Sequence, residues 1–262
     1  MDTSPEGEAS AERRETPAPG GPRRAPADPK RRRRRGGAGA RVVGETLGVG
    51  QSQIGEPFWP AQLAVLVAII LSATLPDKLT LGPSWLLPVF EGILLLGLAI
   101  TTPMRVHPEH SRRRQVAILM IALINTTNLI SLVLLAHYLL HGGRANGREL
   151  ITAGALIWLT NVIVFGLWYW ETDRGGPAAR AARTGVDPDF LFPQMTDERL
   201  GRDTWSPKFI DYLYVSLTNA TAFSPTDTMP LSGLAKSLMG IQSVISLVTI
   251  GLVVARAVNI LQ

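Results

Sequence analysis

The chain has 262 residues, a formal net charge of +5 and no cysteine. The missing thiols exclude disulfides, thiolate metal sites and cysteine nucleophiles. Hydrophobic residues make up 46%, and their clustering into uncharged runs too long for ordinary core helices points to lipid rather than to a soluble core.

Residues 1–57 are dominated by Pro, Gly, Ala, Arg and Glu. Little there can bury apolar area and offset the entropy of ordering, so a disordered tail is expected. Within it, Lys30, Arg31, Arg32, Arg33, Arg34 and Arg35 form one cationic block. The block reads as a topology determinant and a contact for anionic phospholipid headgroups. No aromatic residues are interleaved for base stacking, so no nucleic-acid partner is expected. No apolar run follows until Phe58, which disfavours a secretory or twin-arginine signal.

Uncharged runs at 58–75, 116–140, 150–170 and 237–255 read as membrane spans, and 84–101 is a further one with a single acid, Glu91. Trp59, Trp85 and the belt Trp168-Tyr169-Trp170 sit at their ends, as interfacial aromatics do. An acid inside a span costs several kcal/mol unless it is protonated, paired or hydrated, which makes Glu91 a functional candidate. Asn125 and Asn128 lie i, i+3 on the third span, and Asn161 lies near mid-depth in the fourth. They are expected to form a polar seam between helices. His107 and His110 flank Pro108-Glu109, and His137 and His141 are i, i+4, but two imidazoles per side fall short of a closed metal site. No metal or cofactor is expected. None of the common hydrolase, zinc-protease or P-loop motifs occurs, so no enzyme activity is expected.

The segment between Asp211 and Asp227 is neutral and rich in Thr, Ser and Asn. As a helix, 212–226 reaches only about 22 Å, short of a hydrocarbon core of about 30 Å, so it is either a short span or a re-entrant loop. The run Ser216-Leu217-Thr218-Asn219-Ala220-Thr221-Ala222-Phe223-Ser224-Pro225-Thr226-Asp227-Thr228-Met229-Pro230 resembles, without gaps, the pattern S-F-T-T-x-T-T-V-G-Y-G-D-x-x-P of two-span potassium channels. Leu234-Ala235-Lys236 and Val254-Ala255-Arg256 fall where that family has small and basic residues on its inner helix. The resemblance implies a pore helix, a filter strand and an inner helix, with Thr218, Asn219, Thr221, Phe223, Ser224, Thr226 and Asp227 in the pore-like part. Both filter glycines, the first filter Thr and the Tyr are replaced. Ser224, Pro225 and Thr226 cannot aim successive carbonyls as glycine-rich backbone does, so potassium selectivity is not expected. The arrangement is also similar to uncharacterised bacterial multi-pass membrane proteins.

Basic residues before the first and third spans assign those ends, and the N-terminus, to the cytoplasm. The loop 171–208 then also lies inside, where a pore loop of the channel family would not. A complete crossing by 209–224 reconciles the charges and is the favoured arrangement. The reading is therefore an all-α protein: a polytopic α-helical membrane bundle with five spans and one short or re-entrant segment. It divides into a tail (1–57), a four-span bundle (58–170), a loop or cap (171–208) and a pore-like segment with a final helix (209–262). The expected location is the bacterial cytoplasmic membrane, and the expected partners are the lipid bilayer and further copies of the chain. The expected function is passive permeation without potassium selectivity, or else a non-conducting scaffold binding anionic lipid or partner proteins.

Overall fold

The computed structural model describes residues 57–80, 82–100, 111–141, 147–182, 185–197, 199, 205–222 and 227–260. The basic block at 30–35, His107, His110, Phe223, Ser224 and Thr226 lie outside the described residues. Seven α-helices are described: α1 (Trp59–Ala73), α2 (Leu86–Ile100), α3 (Ser111–Leu140), α4 (Gly147–Thr172), the short α5 (Pro177–Ala181), α6 (Phe209–Ala222) and α7 (Gly233–Ile260). Two short strands, β1 (Phe190–Leu191) and β2 (Met229–Pro230), pair antiparallel, with Phe190 opposite Pro230 and Leu191 opposite Met229.

Three helices, α3, α4 and α7, are long and apolar enough to cross a membrane. Helices α1 and α2 are apolar but hold 15 residues each, a rise of about 22 Å. The five expected spans thus resolve into three helices of membrane length and two shorter ones. Pro60 in the first turn of α1 needs no N–H partner there, and Thr74 closes its other end through its N–H and hydroxyl on carbonyls of the last turn.

Helix α4 is the hub, packing against α1, α3, α6 and α7. Every residue from Thr160 to Leu167 is buried, the mark of a helix enclosed on all sides. The outward faces are apolar instead: Leu63, Leu66 and Ile70 of α1, Phe90, Ile93 and Leu96 of α2, and Ile241, Val244 and Leu247 of α7 are all exposed. Polar residues such as Asn161, Ser216, Asn219, Gln242, Ser246 and Thr249 are buried. Apolar outside and polar inside is the pattern of a bundle surrounded by lipid.

Small residues let the helices approach. A Cβ on Gly166 would stand 3.1 Å from the Cα of Leu213, so α4 and α6 meet almost backbone to backbone.

Candidate functional site

The direction of each helix decides how the pore-like segment sits. Helices α4 and α6 are antiparallel: Trp170 meets Phe209 edge-on with ring centroids 6.0 Å apart, Gly166 faces Leu213, and the Ser216 hydroxyl donates to the Val162 carbonyl at 2.6 Å. Helices α4 and α7 are antiparallel too. Tyr169 donates its hydroxyl proton to Gln242 Oε1, Trp158 Nε1 donates to Ser246 Oγ at 2.7 Å, and Val253 packs over Gly154. Helices α6 and α7 therefore run parallel, as Ser216 with Gln242 and Ala220 with Ser246 confirm directly.

Two consecutive parallel helices require the chain to return between them. Strand β2 makes that return complete by pairing with β1 beside the C-terminal end of α4. Helix α6 rises about 21 Å over 14 residues, and the six residues between Ala222 and Met229 can cover about 24 Å. Helix α6 and the strand that follows it thus start and finish at the same end of the bundle. The return is fixed by the pairing of β2 with β1.

What holds α6 in place is a seam of hydrogen bonds centred on Gln242. Its Oε1 accepts from Tyr169 and from Asn219 Nδ2, the latter at 2.8 Å, and its Nε2 donates to the Ser216 carbonyl at 3.0 Å and to Ser216 Oγ at 2.6 Å. Asn219 Nδ2 also reaches the Met239 carbonyl at 3.0 Å, and Ser246 Oγ donates to the Ala220 carbonyl at 2.7 Å. Ala235, Met239, Gln242, Ser246 and Thr249 recur every three or four residues as the buried stripe of α7.

A second cluster clasps both ends of the re-entrant segment. Asp173, fully buried just past α4, accepts the Tyr212 hydroxyl on Oδ2 and the Asp189 N–H on Oδ1 at 2.8 Å. Tyr212 lies in the first turn of α6. Asp189 precedes β1, and its carbonyl accepts from the N–H of Leu231, directly after β2, at 2.8 Å. One carboxylate therefore ties down where the segment goes in and where it comes out. Arg180 donates Nη1 to the carbonyls of Trp170 and Asp173 at 2.6 and 2.9 Å, and its guanidinium lies 5.1 Å from the Tyr212 ring centroid. Arg174 adopts φ 52°, followed by Gly175 and Gly176 at φ 80° and 96°, a tight turn that brings the chain back onto α4. The aromatic rings of Tyr169, Phe190, Tyr212, Phe192 and Trp205 stack in succession with centroids 5.1–6.1 Å apart. The described part of 171–208 is a folded cap on the bundle end.

The residues singled out in the sequence separate into groups. Asn219 is buried in the seam, whereas Thr218 and Thr221 bond only carbonyls of their own helix, at 2.9–3.2 Å, with Thr221 exposed. Asp227 is exposed. Across α3 and α4, Leu135 packs over Gly154 and Arg114 Nε lies 3.6 Å from Glu171 Oε1. That antiparallel register puts Asn128 and Asn161 at the same depth, seven residues in from Leu135 and Gly154. No hydrogen bond joins them: both polar atoms of Asn161 are buried without a partner, and Asn125 is only half-buried. The expected α3–α4 seam is therefore not linked, and the bonded seam lies between α4, α6 and α7. His137 and His141 stack at 4.1 Å. Among the described residues no group of three or more His, Asp or Glu is arranged to hold a metal.

Comparison with protein families, curated proteins and solved structures found no match. The site thus rests on geometry alone. Sequence reasoning passes over Gln242, Ser216, Ser246 and Tyr169, and also Asp173, Arg180, Asp189 and Tyr212. Only Gln242 and Ser246 leave a signal, the helical spacing of polar residues at 242, 246 and 249 within a charge-free run.

Proposed function

We propose that the chain is a multi-pass integral membrane protein in which α4, α6 and α7 form a channel-like pore module that passes ions or small solutes without potassium selectivity. The observation that carries this reading is the parallel pair α6 and α7 with a return strand between them. A half-depth helix, a return and a full-length helix are the parts of a two-span pore in their proper order. Thr221 and Asp227 lie on surfaces that no other described part of the chain covers, so the path is completed between copies of the chain around a common axis.

The bundle end bearing the cap gathers Arg112, Arg113, Arg114, Arg174, Arg180, Lys208 and Lys236, against Lys78, Arg148 and Arg256 toward the other. This asymmetry supports a cytoplasmic capped end. With α1 and α2 as further crossings, this gives five spans, one re-entrant helix, a cytoplasmic N-terminus and a module inverted relative to potassium channels. The second reading, a non-conducting scaffold, draws on the saturation of the Gln242 seam, whose polar groups are engaged in holding α6.

Purified protein reconstituted in liposomes is expected to pass a cation flux that Asp227→Asn lowers about twofold or more. A bilayer that stays tight under sodium, potassium and chloride gradients would falsify conduction and leave the scaffold.

A further inference from the structure

Glu91 belongs to no part of the module just described. It lies on α2 with 0% of its surface exposed, and neither carboxylate oxygen has a hydrogen-bond partner. Seven residues on, Leu98 shares its buried stripe, whereas Val89, Phe90, Ile93 and Leu96 face outward. The helices packed against α2 are α1 and α3. Helix α1 carries no charged residue, α2 carries no other, and α3 between Gln115 and Tyr138 has only His137, which is exposed. Asp77 and Lys78, in the turn before α2, are exposed as well.

Among the described residues nothing supplies a counter-charge, and an uncompensated carboxylate inside an apolar bundle costs several kcal/mol. A second unpartnered oxygen belongs to Ser131 of α3, itself 1% exposed. Ser84 N donates to Asp77 Oδ1 at 3.3 Å and Lys78 lies over Tyr138, so α2 starts near the Tyr138 end of α3. Five residues of α2, about 8 Å, and seven of α3, about 10 Å, bring Glu91 and Ser131 to similar depths.

We infer that Glu91 is an intramembrane site for a small monovalent cation, a proton or an alkali-metal ion, independent of the α4–α6–α7 module. A hydrophobic carbodiimide tests this on the purified full-length protein. The reagent takes the proton of a neutral carboxyl on nitrogen and the carboxyl oxygen on its central carbon, and acyl migration then leaves a stable N-acylurea. Peptide mass mapping is expected to find the adduct on Glu91 and to lose it in Glu91→Gln. A labelling rate that falls about tenfold or more as pH rises from about 6 to about 9, indifferent to sodium, assigns a proton. Slowing by sodium or lithium at constant pH assigns an alkali ion. Labelling that is flat in both, or no adduct on Glu91 when the detergent-unfolded protein is labelled there, overturns the site.

Discussion

Replacing Asp173 by alanine is expected to destabilise the bundle by about 3 kcal/mol and to free the re-entrant segment at both ends. The change strips the Tyr212 hydroxyl and the Asp189 N–H of their acceptor and leaves Arg174 without the carboxylate 3.8 Å from its Nε. Orphaned buried groups of this kind cost about 1–3 kcal/mol each, and a broken buried ion pair about 3–5. Because the chain contains no cysteine, the opening can be read with a single engineered thiol. Thr228 is buried next to β2. Thr228→Cys should resist a water-soluble maleimide in the parent and react on the order of tenfold faster with Asp173→Ala. Asp173→Asn retains one acceptor and should fall between. Equal reactivity in all three would mean that the cap does not clasp the segment.

The second large effect is expected at Gln242. Gln242→Leu keeps the volume but removes four hydrogen bonds, to Tyr169, to Asn219 and twice to Ser216. Hydrogen bonds between membrane helices average about 0.6 kcal/mol, and stranded partners raise the cost, so a loss of about 2–3 kcal/mol is expected. Tyr169→Phe should cost about 1 kcal/mol alone, and little more once Gln242 is already leucine, because the two act through one bond. Unfolding titrations in mixed micelles measure the cycle. Additive losses would show that Tyr169 and Gln242 are held independently.

These two clusters also mark where sequence reasoning stops. Helices announce themselves by uninterrupted apolar length, yet their ends do not. Helix α3 starts at Ser111, before Val116, because Arg112 to Arg114 continue the helix with their charged heads outside the apolar stretch. The shortness of α6 is legible in its 14 residues. Its direction relative to α7 is not, since that depends on bonds such as Ser216 to Val162, 54 residues apart. Asp173, Arg180 and Asp189 read only as charged members of the 171–208 loop or cap. They become a buried cluster only because Arg174, Gly175 and Gly176 turn the chain back. Gln242 is one of several polar residues in a charge-free run and reads as tolerated within it. Glu91 is the contrary case: its lone charge is visible from the start, and the structure adds that no partner among the described residues accompanies it.

The parallel course of α6 and α7 has a consequence for biogenesis. A segment that goes in and returns at the same end of the bundle gains no hold from traversing it. Its buried Ser216 and Asn219 find their partners on a helix synthesised later. Until α7 is inserted, α6 has polar groups that neither lipid nor α4 can satisfy fully. A chain stopped after Ser232 should therefore leave Phe209–Ala222 open to protease while α3 and α4 stay protected, and equal protection would refute this order. The final helix thus acts as a checkpoint in synthesis: a nascent chain lacking it carries unmet hydrogen-bonding groups of the kind by which quality-control proteases can distinguish unfinished membrane proteins from finished ones.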